Sequence, residues 1–332
     1  MKRIAIVTDN LRTQINGVVT TFNNIEKYAN DDGYDLRFID PSQFKHYSAP
    51  FYPEVKLSLP FNIGERIDEL YPDHIHIATE GPIGLAARLY CDKKGYIYNT
   101  SYHTKFPEFM NKLYHIPTPM TYSYLRWFHK HSGIVLTNTK SMVETLQQKG
   151  FDGKIVEWTR GVDFDKLKAT VDDVQNGSVL YVGRVSREKN LDALCKLQDQ
   201  FDIVIVGDGP YREALERKYT KVKFVGYKTG TELANYYRQA SVFCFPSLTD
   251  TFGIVIIEAM SQGCPVAAFP VTGPMDIIEN QVTGVVSLDL EKAIKQCLVL
   301  DRNYIRFKSR SWNWYNCWVQ FKENLVNISK NT

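Results

Sequence analysis

The 332-residue chain has no long hydrophobic run. No apolar stretch approaches the roughly 20 residues that cross a bilayer, which excludes a membrane-spanning helix and leaves contact with one face of a membrane open. It has no Cys-x-x-Cys pair: Cys91, Cys195, Cys244, Cys264, Cys297 and Cys317 are scattered, mostly through apolar runs, as expected of a reduced intracellular protein. It has little charge excess, and a net +3 is too small to hold nucleic acid by bulk electrostatics. No leader is expected, because Met1-Lys2-Arg3 runs straight into the strand-like Ile4-Ala5-Ile6-Val7. There is no repeat with a period of roughly 20–50 residues and no low-complexity tract. The glycine triad of a dinucleotide fingerprint is also missing after the first strand. That weakens an NAD-dependent oxidoreductase, although Asp40 ends the second strand where a ribose-binding acid could sit.

What is present is an ordinary globular mixture, 44% hydrophobic and 23% charged, long enough for two domains with sizeable cores. Aromatics reach 13%, with 20 tyrosines and 18 phenylalanines, which suits core and interface packing or contact with carbohydrate. Short β-branched runs occur at 4–8, 36–39, 74–78, 96–100, 134–137, 179–182, 203–206, 222–225, 242–245 and 266–269. Amphipathic stretches such as 18–28, 210–219 and 231–239 lie between them, the signature of parallel α/β sheets. After a polar, charged run at 168–177, the order strand, Gly-rich turn, helix restarts at Ser178. The pattern predicts two Rossmann-like, doubly wound parallel-sheet domains, 1–170 and 171–310. Ligands then bind beyond the carboxyl ends of the strands, in a cleft that both sheets face. Residues 311–332 hold a tryptophan-rich amphipathic helix expected to pack back on the first domain.

The most informative stretch is Asp250-Thr251-Phe252-Gly253-Ile254-Val255-Ile256-Ile257-Glu258. Its two carboxylates stand a little over two turns apart at about 3.6 residues per turn. If Gly253 opens the helix, Glu258 lies inside it on the ligand-facing or core side, and Asp250 lies in the preceding loop. The amides of 251–254 then form an anion site flanked by two acids, which suits a diphosphate joined to hydroxyl-rich sugars. Upstream, a strand ends at Gly183, and Arg184 and Lys189 follow on the loop and helix start. Two cations there suit a diphosphate, and a solvated charge cluster containing Arg187 and Glu188 accounts for them equally well. Gly207-Asp208-Gly209 is a weak Gly-x-Gly, explained by helix–strand packing as well as by a ligand. Around Val225 a further strand ends, where backbone groups could meet a flat base.

In the first half, Gly17 opens a helix and lets backbone approach a phosphate or sugar closely. His103 lies just past a strand end, where an imidazole can hydrogen-bond a sugar hydroxyl or carry a proton; a structural role is the commoner fate of a lone histidine. His74, His76, His129 and His131 read as structural, and no metal site is expected. Asp163-Phe164-Asp165 has the D-x-D form of metal-dependent sugar-nucleotide enzymes but reads better as a turn or helix cap. The apolar, aromatic and basic segment 112–131 reads as a packed helix at a domain rim or as a surface for an anionic membrane.

Taken together, T-D-T-F-G-I-V-I-I-E-A-M, Y-V-G-R-V-S-R-E-K-N, G-D-G-P, F-V-G, F-P-S, G-C-P-V-A-A and V-T-G-P-M-D-I-I resemble the family 4 glycosyltransferases with the GT-B fold. The segments I-N-G-V-V-T-T-F, H-I-A-T-E-G-P-I-G and Y-H-T-K-F-P-E resemble a bacterial branch with α-mannosyl- and α-glucosyltransferases, similar to sulfoquinovosyl- and digalactosyl-lipid synthases. The resemblance implies a nucleotide-diphosphate sugar as donor and a glycan or lipid-linked acceptor, with no metal or other cofactor. It implies a cytoplasmic enzyme, in peripheral contact with a membrane when the acceptor is a lipid. Glu258 would accept the ribose hydroxyls, Asp250 would face the donor sugar, and Arg184 and Lys189 would neutralise the diphosphate. The amides of Thr251, Phe252, Gly253 and Ile254 would complete that cradle beside Gly183. Gly17 would lie under the phosphates, His103 would contact the sugar near C6, and Val225 would frame the base. Asp250 departs from the family's usual Glu by one methylene. A sugar-nucleotide 2-epimerase and a non-catalytic sugar-nucleotide-binding protein are the alternatives.

Overall fold

The computed structural model describes residues 1–14, 16–49, 52–248 and 250–328, with backbone alone at 49, 52–56, 109 and 112–114. Ile15 and Thr249, members of two motifs above, lie outside the described residues. The chain forms two compact units, Met1–Arg160 with Trp314–Thr332, and Gly161–Asn313.

The first unit is built on six parallel strands: β1 (Lys2–Val7), β2 (Tyr34–Ile39), β5 (His74–Ile77), β6 (Asn99–Tyr102), β7 (Ile134–Thr137) and β8 (Ile155–Glu157), in the order β2-β1-β5-β6-β7-β8. A separate antiparallel hairpin, β3 (Lys45–Ala49) with β4 (Tyr52–Leu59), interrupts the alternation and was not legible as strand pattern. Ile4, Ala5, Ile6 and Val7 are fully buried, as a central parallel strand covered on both faces requires. The run expected at 96–100 pairs later than it reads, at Asn99–Tyr102. The helix Trp314–Glu323 belongs to this unit and buries Trp314, Cys317, Trp318 and Phe321. Trp158 Nε1 donates to Cys317 O at 2.9 Å, and Trp318 Nε1 to Asp32 Oδ2 at 2.7 Å. Indole N–H groups placed this way satisfy their polar atom while burying a large apolar body.

The second unit has six parallel strands: β9 (Val179–Val182), β10 (Ile203–Val206), β11 (Lys223–Gly226), β12 (Val242–Phe245), β13 (Val266–Ala268) and β14 (Gly284–Val286), in the order β11-β10-β9-β12-β13-β14. Side chains alternate between two apolar clusters: Leu180, Val182, Phe243 and Phe245 in one, Val179, Tyr181, Val242 and Cys244 in the other. All six cysteines of the chain are buried and free.

The units divide between Arg160 and Gly161, before the polar run that marked the expected boundary, and the second closes at Asn313. Val162 and Leu167 already belong to the second core. The polar run is also fastened there: Asp173 pairs with Arg302 at 3.2 Å, with Arg238 at 3.4 Å and with Arg306. The hydrophilic run that marked the expected boundary here carries a surface ion cluster.

Candidate active site

In the second sheet the strand order reverses between β9 and β12. The chain leaves β9 toward β10 on one side and leaves β12 toward β13 on the other, opening a crevice beyond their carboxyl ends. Gly183 and the exposed Arg184 follow β9, then a 3₁₀ turn Arg187–Lys189. From β12 the chain passes through Asp250 to Gly253 and the helix Ile254–Ser261. Asn190 Nδ2 donates to Pro246 O at 3.1 Å and ties the two loops together.

The structure brings Lys189 and Asp250 into direct contact. Lys189 Nζ donates to both carboxylate oxygens, at 2.7 and 2.9 Å, with each side chain about one-quarter exposed (25% and 25%). The cation expected on a diphosphate is held by the acid expected on the sugar, because their loops flank the same crevice. Gly253 caps the helix at φ 93°, a left-handed conformation, and a Cβ there would stand 3.0 Å from the Phe245 ring. Gly253 has no side chain with which to cap the first turn, and a helix N-terminus carries partial positive charge. Thr251 and Phe252 are buried, and the Phe252 ring packs on Trp312 at 5.7 Å; its side chain belongs to the core and only its backbone can serve a ligand. Ile254 is partly buried against the same core.

Glu258 lies in the second turn of the helix, half-buried, and accepts from Tyr237 Oη at 3.0 Å. Burial raises its carboxyl above the usual range, and the Tyr237 bond only partly offsets this. Tyr237 carried no signal in the sequence, since it reads as one aromatic of an amphipathic helix. Val225 lies on β11, two strands from β9, partly buried on the core. The Gly-x-Gly turn is packing: a Cβ on Gly207 would fall 1.9 Å from Gly183 O, and Gly207 N donates to Gly226 O.

In the first unit, Gly17 begins the helix Gly17–Asp31 and is exposed, but Asn16 Oδ1 already accepts from the amides of Val18 and Val19 at 3.1 and 3.0 Å. The reversal of strand order between β1 and β5 is occupied by the chain itself. Asp9 accepts from the amides of Ile83 and Gly84 at the start of the helix Pro82–Lys94, and from Thr79 Oγ1 at 2.7 Å. An internal carboxylate thus fills the place where a doubly wound sheet takes an anion. Asp40, the ribose-acid candidate, instead caps a turn by accepting from Ser42 N at 2.8 Å.

His103 is partly buried. Arg160 Nη2 donates to its Nδ1 at 2.9 Å and also to Asn138 Oδ1, while Asn138 Nδ2 donates to His103 O at 3.0 Å. Burial and then the Arg160 charge push the imidazole well below its ordinary pKa, so it stays neutral. Sequence reasoning missed Arg160 and Asn138; a buried arginine in Trp158-Thr159-Arg160-Gly161 looks like any surface cation until its burial is known. The four histidines read as structural are bonded within the fold: His74 to Val326 O, His76 to Ser101, His129 to Thr100 and His131 to Asp92. Asp163 accepts from the amides of Asp165 and Lys166, so D-x-D is a turn. Among the described residues no three of His, Cys, Asp and Glu stand close enough to hold a metal ion. The segment 112–131 includes the helix Thr118–His129, which buries Tyr122, Leu125 and Phe128 and exposes Met120 and Trp127. No helix among the described residues is long and apolar enough to cross a membrane.

A family model described as Glycosyltransferase Family 4 matches residues 15–166, and one described as Glycosyl transferases group 1 matches 176–300. The chain is 27% identical over 305 residues to the sulfoquinovosyl transferase of Arabidopsis thaliana, covering 81% of this chain and 60% of the relative. It is 26% identical over 316 residues to a GDP-mannose-dependent alpha-mannosyltransferase of Corynebacterium glutamicum, covering 86% and 76%. The chain therefore spans less than two thirds of the plant protein's length. Its fold is similar to sucrose-phosphate synthase from Thermosynechococcus elongatus, with a TM-score of 0.78 at 17% identity over 97% of this chain and 98% of that one. That likeness carries the fold alone, and the fold is GT-B.

Proposed function

The chain belongs to glycosyltransferase family 4, and from that premise we propose that it transfers a hexose, with retention at the anomeric carbon, from a UDP- or GDP-sugar to a hydroxyl of a glycan or glycolipid. The observation that carries the reading is the crevice at the β9/β12 reversal. It gathers Arg184, Lys189, the glycine-capped helix N-terminus, Asp250 and Glu258 on the two loops and the helix that border it. The dependence of the corynebacterial relative on GDP-mannose supports a nucleotide-sugar donor.

Glu258 holds the ribose hydroxyls, and the diphosphate lies on the helix amides between Arg184 and Lys189. Lys189 exchanges the Asp250 carboxylate for a phosphate oxygen, which releases Asp250 toward the sugar hydroxyls. His103 and Gly17 also serve the donor, and Val225 borders the base. As the C1–O bond to the β-phosphate breaks, negative charge grows on the leaving phosphate. The cations and amides bind that state more tightly than the ground state. The acceptor oxygen bonds to C1 on the same face, and its proton ends on the leaving phosphate oxygen. Fixed cations do here what a metal would do, so turnover is expected to survive a chelator. Exposed Met120 and Trp127 support peripheral contact with a membrane that carries the acceptor.

The test is a thermal-shift panel of UDP, GDP, ADP and their sugars on the full chain, followed by nucleotide-release assays. Stabilisation by one nucleotide and its sugar, growing with ligand concentration, is the expected outcome. No response to any of them overturns the donor assignment.

A further inference from the structure

Arg160 is a buried cation that meets neutral groups, the Cys317 thiol among them. Its Nη1 donates to Trp158 O at 2.7 Å and Thr159 O at 2.9 Å, and its guanidinium lies 4.5 Å from the centre of the Trp158 ring. Its other terminal nitrogen, Nη2, faces His103 Nδ1 and Asn138 Oδ1. Removing a guanidinium from water without a carboxylate is unfavourable, and burial lowers its pKa to about 10. A helix cap or a core packing position does not need such a group, so the placement calls for a task.

The hydrogen-bond chemistry supplies one. A guanidinium only donates. With Nη2 at 2.9 Å, His103 Nδ1 has to present its lone pair, and the ring's single proton then sits on Nε2. Asn138 Oδ1 also lies 3.2 Å from Nδ1 and would accept from an Nδ1–H. The two arrangements exclude each other, and the shorter, charge-assisted Arg160 contact favours the lone pair. The groups that surround the ring reinforce this. Trp158 packs on it at 5.8 Å, His76 and His129 are nearby in the same unit, and the Arg160 charge disfavours a second proton on the ring. His76 is itself held neutral, its pKa depressed by burial to about 3.

We propose that Arg160 is a positioning residue for the transfer reaction, locking His103 as the neutral Nε2–H tautomer so that His103 serves the donor sugar as a fixed hydrogen-bond donor and not as a base. The part that concerns the sugar rests on the functional reading above. The tautomer lock rests on this unit's geometry alone.

The two parts separate experimentally. Long-range imidazole ¹⁵N spectra of the full-length protein, with His103 assigned by loss of its signals in H103Q, report the tautomer without any ligand. The wild type is expected to show His103 as Nε2–H and unprotonated from pH 8 to pH 5.5. An Nδ1–H tautomer, or a titration near the ordinary histidine range of about 6.5, overturns the lock without any further variant. In R160M the His103 titration should move up by about one pH unit or more, with R160K partly restoring the wild-type state. An unchanged His103 in a folded R160M also overturns it.

Turnover of UDP-glucose and GDP-mannose is then read against pH. In R160M, kcat should lie below wild type above the His103 titration, where the neutral ring can take the Nδ1–H tautomer, and should recover on acidification, because the imidazolium again carries an Nε2–H; this pH dependence should disappear in R160M/H103Q. If the spectra shift as expected while kcat and KM in R160M stay those of the wild type, the role in transfer is overturned and the lock alone stands.

Discussion

Asp250→Asn should tighten the binding of a bare nucleoside diphosphate while slowing sugar transfer. In the ligand-free protein Asp250 holds Lys189 through two contacts at 2.7 and 2.9 Å. A unit charge pair near 4 Å is worth about 1 kcal/mol in water and about 4 kcal/mol at an effective dielectric of 20. Both side chains are about one-quarter exposed, so this pair lies between those limits. A phosphate that recruits Lys189 has to displace the carboxylate and then sit beside a like charge. Converting the carboxylate to an amide of the same shape removes most of that opposition, about 1–2 kcal/mol, or roughly five- to thirty-fold in Kd. Calorimetric titration with UDP and GDP measures it. The gain should shrink at high salt and vanish in the K189M/D250N double variant, since only a neighbour acting through Lys189 couples the two changes. With the intact sugar nucleotide, kcat should drop, because the amide no longer accepts from sugar hydroxyls as a charged group. Weaker or unchanged nucleotide binding in D250N would refute the exchange of Asp250 for phosphate at Lys189.

Glu258→Gln should raise the melting temperature of the ligand-free protein slightly, since the folded state raises this carboxyl's pKa and therefore disfavours its ionised form at pH 7. The same variant should weaken UDP or GDP binding by about 1.5–3 kcal/mol, roughly 10- to 150-fold, if the carboxylate accepts the ribose hydroxyls; wild-type affinity should decline on acidification from above the usual carboxylate range. Gly253→Ala forces a Cβ into a left-handed position against Phe245, costing about 1–3 kcal/mol, and should lower both the melting temperature and nucleotide affinity. Asp173→Asn removes the acid shared by three guanidinium groups and should destabilise the protein by about 1–2 kcal/mol at pH 7 in urea titrations. Burial opposes ionisation of Asp173, but Arg306, Arg302 and Arg238 prevail and hold its pKa below the ordinary value. Its contribution is therefore present above about pH 3.9 and lost as pH falls through the folded value, so wild type and variant should converge in acid.

Much of the architecture was readable because it depends on local pattern. The apolar run Ile4-Ala5-Ile6-Val7 can only be a strand covered on both faces, and β9 and β12 repeat that logic. Gly253 marked the helix start because a glycine lets the chain turn sharply out of the loop into the apolar run Ile254-Val255-Ile256-Ile257. The hairpin Lys45–Leu59 escaped notice because an antiparallel pair exposed on one side lacks a continuous apolar run. The boundary at 160/161 escaped for a related reason: Val162 and Leu167 are two apolar residues among polar ones, and their membership of the second core is a property of the packed unit.

The sequence by itself determined the two parallel α/β sheets, the helix carrying Glu258 and the list of residues with the right chemistry. Hydrophobic period and glycine punctuation act over a few residues and need no partner. Tertiary structure alone decided what those residues do to one another. It set Lys189 on Asp250 across 61 positions of chain, filled the first sheet's reversal with Asp9, and buried Arg160 against His103. Charge pairing, burial and tautomer depend on distances of a few ångströms between loops far apart in sequence, and only the folded sheet brings those loops together.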